Sequence, residues 1–187
     1  MGCAFVIGNG ESRRGFKLGK LRGNGFIIGC NALYRDFSPD LLVSVDSKMI
    51  KEVKEANYAG EYCSDNPYKW ASGPTAVKIA CERGYSPIYM LGFDFYGHGE
   101  FSTNGQHPML NNFYKDTKNY RKSNDHETGW RGWIDTFKQI FASYPETKFI
   151  HVGGLEKHPP KWPKDVPRYI DYLRFEAILA GKIKVIS

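Results

Sequence analysis

Ser72-Gly-Pro-Thr-Ala-Val-Lys-Ile-Ala-Cys-Glu-Arg-Gly84, followed at once by Tyr85-Ser-Pro-Ile-Tyr-Met-Leu-Gly-Phe-Asp94, reads as a helix running into a buried strand. Ser72 has the chemistry of an N-cap, Pro74 lies in the first turn, and Gly84 is a C-terminal stop. Pro87 to Asp94 is then a short, almost continuous apolar run, the mark of a strand covered on both faces. The same unit recurs outward in both directions. Upstream, Cys3-Ala-Phe-Val-Ile7 is an apolar run halted by Gly8-Asn9-Gly10. Gly25-Phe-Ile-Ile-Gly-Cys30 is a second, and Asp40-Leu-Leu-Val-Ser-Val45 a third, ending on Asp46. Ser47 is placed to cap a polar helix reaching about Asn57, and Glu61-Tyr-Cys63 is a short strand. Downstream, Phe95 to Asp125 is polar and without strong periodicity. A stretch this long in a compact domain usually carries function or mobility. Trp130, Trp133, Ile134, Phe137, Ile140 and Phe141 then fall on one helical face, and Lys148-Phe-Ile-His-Val152 closes the series as a strand.

Strands alternating with amphipathic helices predict an α/β fold: a single Rossmann-like domain with a mostly parallel sheet and helices on both faces. The expected nucleotide-binding domain spans 1–154. Residues 155–187 form a separate expectation. His158-Pro-Pro-Lys-Trp-Pro163 breaks structure repeatedly, and a last helix through Tyr169, Tyr172, Leu173, Glu176, Ala177 and Leu179 ends at Gly181. It would pack on the domain or on a second copy, so a homo-oligomer stays open.

The 187 residues suffice for one sizeable core, with 41% hydrophobic and 25% charged residues. The net charge of +6 suits anionic ligands such as phosphates, and also nucleic acid, with Arg13, Arg14, Lys17, Lys20 and Arg22 in one loop. A plain solubility charge accounts for it equally well. Cys3, Cys30, Cys63 and Cys81 form no Cys-x-x-Cys pair. The His residues have no ligand spacing to them or to one another, which argues against zinc. With no signal-like leader and no bilayer-length apolar run, reduced thiols and a cytoplasmic setting are expected. Met1-Gly2 lacks the Ser or Thr at position 6 that myristoylation favours, since Val6 stands there.

In parallel α/β sheets ligands bind outside the carboxyl ends of the strands, where strand order reverses. The residues at those ends are therefore the candidate site. Gly8, Asn9 and Gly10, with Ser12, allow a tight turn and close approach of backbone to phosphate or ribose. The third glycine of a dinucleotide fingerprint and the Lys-Ser/Thr of a P-loop are both missing, and a plain turn explains the motif as well. Asn31 offers both donor and acceptor to a base or ribose, or simply makes a turn. Asp46 is a magnesium or ribose ligand, or favours the positive end of the next helix. Ser72 and Gly73 open a helix whose N–H groups suit an anion, which is compatible with capping. Asp94 ends its strand as a ligand contact or a satisfied buried carboxylate. Tyr96 is a phosphate donor or a cleft wall. His126, after the long polar stretch, is a general base or an exposed loop histidine.

Ala71-Ser-Gly73, Ala76-Val-Lys-Ile-Ala80, Gly84-Tyr85 and Ile88-Tyr-Met-Leu-Gly-Phe-Asp-Phe-Tyr96 together resemble the bacterial lipooligosaccharide sialyltransferase family. Gly8-Asn-Gly10 with Ser12, and Cys30-Asn31, are similar to that family's first two nucleotide-binding segments. The resemblance implies a metal-independent enzyme using CMP-sialic acid as donor. Asn9, Asn31, Ser72 and Gly73 would hold the CMP part, Tyr96 would donate to the leaving phosphate, and His126 would deprotonate the acceptor. The family's second phosphate-facing tyrosine has no counterpart, since Phe101 and Ser102 occupy roughly that place. Asn31-Ala-Leu-Tyr34 and Pro39-Asp-Leu-Leu-Val-Ser-Val-Asp46 resemble instead the 6-hydroxymethylpterin diphosphokinase-like proteins, which implies nucleotide binding with Asp46 as a metal ligand.

The expected function is thus a glycosyltransferase-like enzyme taking a nucleotide-sugar donor, CMP-linked by the resemblance, with no required cofactor and an acceptor the sequence does not define. The alternatives are a magnesium-dependent nucleotide diphosphotransfer enzyme and a non-catalytic nucleotide- or nucleic-acid-binding module.

Overall fold

The structure, a computed structural model, describes residues 2–95, 111–125, 130–153 and 166–183. Seven strands form one wholly parallel sheet: β1 Ala4–Ile7, β2 Phe26–Cys30, β3 Leu41–Val43, β4 Glu61–Cys63, β5 Ile88–Leu91, β6 Phe149–Val152 and β7 Arg168–Ile170, in the order β4-β3-β2-β1-β5-β6-β7. Among the described residues four α-helices accompany them: α1 Ser47–Glu55, α2 Ser72–Glu82, α3 Trp130–Ser143 and α4 Tyr172–Leu179. This is the expected Rossmann-like α/β domain.

The alternation of side chains along each strand explains why the apolar runs are continuous. Ala4 and Val6 of β1 face one way with Ile28, Leu41, Ile88 and Met90, against Ala76, Val77 and Ala80 of α2 and Phe137 and Ile140 of α3. Phe5 and Ile7 face the other way with Ile27, Tyr89, Leu91 and Ile150, against Leu18, Leu21 and Phe175. Both faces are covered, so the strand positions on either side are mostly apolar; His151 in β6 is buried too, its Nε2 2.8 Å from Phe93 O. Phe175, fully buried, packs its ring within 6 Å of Phe5 and Tyr89, at 5.9 and 5.2 Å between centroids.

Several local expectations shift. Asp46, rather than Ser47, caps α1, its side chain accepting from Lys48 N–H at 2.9 Å. Ala71 holds the N-cap position of α2, and Ser72 is its first helical residue, with its hydroxyl turned elsewhere. Tyr169 belongs to strand β7, not to the last helix. Three residues with one buried side chain give too short a pattern for a strand to be read from sequence. Trp133 is 38% exposed although Ile134 and Phe137, which share its apolar period on α3, are buried.

The strand order places the site. The chain builds outward from β1 to β4, then returns to lay β5 on the other side of β1. The loops after β1 and β5 therefore diverge, which opens a crevice at their carboxyl ends.

Candidate functional site

A cleft of about 340 Å³ occupies that crevice. Of the expected site residues, Gly8, Asn9, Gly10, Asn31, Asp46, Ser72, Gly73 and Asp94 all line it. Ser12 stands behind the wall, bonded to Asp94. Tyr96 and His126, the two expected catalytic residues, lie outside the described residues, as do Phe101 and Ser102.

The floor is stitched by backbone. Gly8 N–H donates to Leu91 O and Gly10 N–H to Gly92 O, both at 2.8 Å. A Cβ on Gly8 would stand 2.5 Å from Gly92 O, and one on Gly10 only 2.4 Å from Asp94 Cγ. The two glycines are thus required by the meeting of the β1 and β5 loops, whatever the cleft holds. Asp94 accepts from Ser12 N–H at 2.8 Å and from the Ser12 hydroxyl, which ties the β1 loop to the end of β5.

Asn31 is the most defined polar group in the wall. Its backbone takes a left-handed φ of +52°, a conformation asparagine tolerates better than most residues, as the chain turns from β2 into a short 3-10 helix. Its Oδ1 accepts from Ser72 Oγ at 2.8 Å and Ser44 Oγ at 3.1 Å. Ser72 Oγ itself accepts from Val45 N–H at 3.1 Å, so its single proton goes to Asn31. This orients the amide: the carbonyl is consumed, and the NH₂ is left with no partner among the described residues. Ser72 therefore serves as a brace between the ends of β3 and β2 and the start of α2.

Asn9 donates through Nδ2 to the Tyr120 hydroxyl at 2.9 Å, while its Oδ1 is buried without a partner among the described residues. Tyr120 also accepts from Ala32 N–H at 3.3 Å, so one phenol joins the loops after β1 and β2. Burial pushes the Tyr120 hydroxyl well above its ordinary pKa, only partly opposed by the Ala32 N–H, so it stays protonated. Asn111, Asn112, Asn119 and Arg121 come from the same segment and complete the polar wall. Phe93, Phe95, Trp133 and Phe137 make the opposite one. Sequence reading missed this contribution. The signal was the run of asparagines Asn111, Asn112 and Asn119, but nothing local says that this segment folds back toward α1.

Cys30 also lines the cleft, and burial lifts its thiol to about 12, which makes it inert as a nucleophile at neutral pH. Of the basic loop, Arg14 pairs with Glu11 at 2.9 Å, Lys20 with Glu176 at 2.7 Å and Arg22 with Asp40 at 3.8 Å. Arg13 is buried over the Phe113 ring. That leaves Lys17 as the one basic residue of the five that is both exposed and without a carboxylate partner among the described residues.

Among the described residues no group of three or more His, Cys, Asp or Glu side chains comes together, and no helix is long and apolar enough to cross a membrane. Of the two cleft carboxylates, Asp94 accepts from Ser12 through both oxygens, and Asp46 spends one of its two on the α1 cap. Fold and cleft together define a parallel α/β protein with a polar, amide-lined crevice at its switch point. No family model, curated protein or solved structure matches the chain.

Proposed function

We propose that the chain is a glycosyltransferase-like enzyme that binds a nucleotide-activated sugar in the switch-point cleft, with a CMP-linked sugar as donor. The observation that supports it is the set of neutral hydrogen-bonding groups on successive strand ends: Asn9 after β1, Asn31 after β2, and Ser72–Gly73 at the start of α2. The Asn31 amide, fixed in orientation with its NH₂ unused, suits an oxygen of a base or ribose. The apolar wall across from them suits the less polar faces of a ligand. The choice of cytidine comes from the sialyltransferase-like motifs.

The reaction is a displacement at the anomeric carbon. The His126 imidazole takes the proton of the acceptor hydroxyl, the acceptor oxygen bonds to the anomeric carbon, and the bond from that carbon to the phosphate oxygen breaks. The phosphate leaves with the electron pair, stabilised by a hydrogen bond from Tyr96.

A thermal-shift series of CMP, CDP, UDP, ADP and GDP, each with magnesium and with EDTA, tests this reading. A cytidine nucleotide should raise Tm more than its purine counterparts, and EDTA should leave the shift unchanged, because a ligand binding only the native state stabilises it in proportion to its affinity. Larger shifts with ADP or GDP that vanish in EDTA would sink this reading in favour of diphosphotransfer through Asp46.

A further inference from the structure

Glu52 is a carboxylate on α1 that is 7% exposed and lies outside the cleft lining. Its Oε1 accepts from the Tyr34 hydroxyl at 2.7 Å, from Arg35 Nε at 2.8 Å and from Arg35 Nη2, while its Oε2 accepts from Asn119 Nδ2 at 2.6 Å. Arg35 extends the set, donating to Thr117 Oγ1 at 2.8 Å and to Lys118 O at 2.9 Å. Lys118 Nζ lies 3.4 Å from Glu55. Three successive residues, 117 to 119, are therefore held against α1 and the turn after β2. The next residue is Tyr120, whose hydroxyl joins Asn9 to Ala32.

Burial alone would raise the Glu52 carboxyl, but the donors of Tyr34, Arg35 and Asn119 outweigh it and keep it ionised. Burying a charge is expensive unless it is fully paired, and an apolar contact would hold a covering segment to a helix without that cost. What four directed donors add is orientation. Asn119 also adopts a left-handed φ of +64°, so its backbone sits in a tight turn whose exit direction sets where the Tyr120 ring goes.

We propose that Glu52 is a positioning residue for the cleft. Through Asn119 it fixes Tyr120 between the loops that carry Asn9 and Asn31, and so sets the geometry in which a nucleotide is bound. This rests on the nucleotide-binding reading of the cleft, but not on the identity of the base.

The test combines exchange and binding. Glu52→Gln keeps an acceptor toward Arg35 but turns an amide NH₂ toward the Asn119 donor. Amide hydrogen exchange of residues 117–121 should quicken at least tenfold while α2 is unchanged. Titration calorimetry with CMP and, in parallel, AMP should show about tenfold weaker binding of whichever nucleotide the wild type accepts. Tyr120→Phe should weaken binding similarly, and the double variant should lie within about twofold of either single one, because both act at one point. Asn119→Gly, which removes the same bond while tolerating the left-handed φ at that position, should reproduce the loss if Glu52→Gln folds poorly. Fast exchange with wild-type affinity would overturn the proposal, as would losses that multiply in the double variant. The same pattern with AMP in place of CMP would keep Glu52's role and sink the CMP donor; no binding of either nucleotide would sink both.

Discussion

Removing the Ser72 hydroxyl tests the brace on which the polar wall depends. In Ser72→Ala, Val45 N–H loses its only acceptor among the described residues, at a site where Ser72 is 4% exposed, and Asn31 Oδ1 keeps one of its two hydroxyl donors. An orphaned donor away from water costs about 1–3 kcal/mol. With about 2 kcal/mol as the central value, a domain of this size should melt about 4–8 °C lower. The second consequence is on binding. Asn31, no longer held from two sides, regains rotamer freedom that a ligand must remove at about 0.5–1.5 kcal/mol, or about 2–10-fold in Kd. Differential scanning calorimetry gives the first quantity and nucleotide titration the second. Ser44→Ala removes the other donor to the same oxygen and serves as the partner in a double-mutant cycle, where the two should couple. A Tm within 1 °C of wild type together with unchanged affinity would refute the reasoning, because it would mean that neither the Val45 bond nor the Asn31 orientation depends on Ser72.

Gly10→Ala would put a Cβ 2.4 Å from Asp94 Cγ, against a carboxylate already fixed by two bonds to Ser12. It should destabilise by about 1–3 kcal/mol in urea unfolding, whereas Gly19→Ala, with nothing within 4 Å of its added Cβ, should stay within about 0.5 kcal/mol. Glu11 has its carboxyl lowered from the usual 4.5 to about 2, chiefly by its bond to Arg14 and then by Lys115 at 2.8 Å. A depressed folded-state value means the stability is fully present above about pH 4.5 and is lost as pH falls toward 2. Urea midpoints measured down that range should therefore fall more gently in Glu11→Gln than in wild type, and parallel curves would count against the Arg14–Glu11–Lys115 cluster.

The sheet was legible because its strands announce themselves locally. Short apolar runs of three to five residues, closed by Gly, Asn or Ser at β1, β2, β3 and β5, have the length and flanks of buried strands, and the 84–88 boundary carries its own helix stop. β7 was not legible, because Arg168–Ile170 buries only Ile170 fully and gains strand character only by pairing with β6. Ser72 illustrates a subtler limit. Its residue type and place before an apolar helix fit an N-cap, yet the hydroxyl is recruited by Asn31 and Val45, partners 41 and 27 residues away. Trp133 fits the apolar period of α3, but the cleft, not the core, lies beside it. In each case the deciding partner is far along the chain.

The Gly8-Asn9-Gly10 turn shows how such distance changes what a motif means. A Gly-x-Gly after the first strand of a parallel sheet invites the inference that the glycines make room for a ligand. Here the room beside both is taken by the β5 loop, at Gly92 O and at the Asp94 carboxylate. The constraint comes from topology: at a switch point two neighbouring strands send their loops opposite ways, and those loops must first pass each other at backbone contact. Glycines are needed there whether or not the crevice binds anything, so they mark the place and say little about the ligand. The informative groups are those whose hydrogen bonding the fold leaves incomplete. Asn31 keeps a free NH₂ because Ser44 and Ser72 consume only its carbonyl, and Asn9 keeps a buried carbonyl because Tyr120 consumes only its NH₂. Of the two, only the Asn31 NH₂ is left uncovered, because the Asn9 carbonyl is enclosed by protein. A ligand in the cleft meets Asn31 as a donor and must bring an acceptor to it, a requirement that glycines alone would never have disclosed.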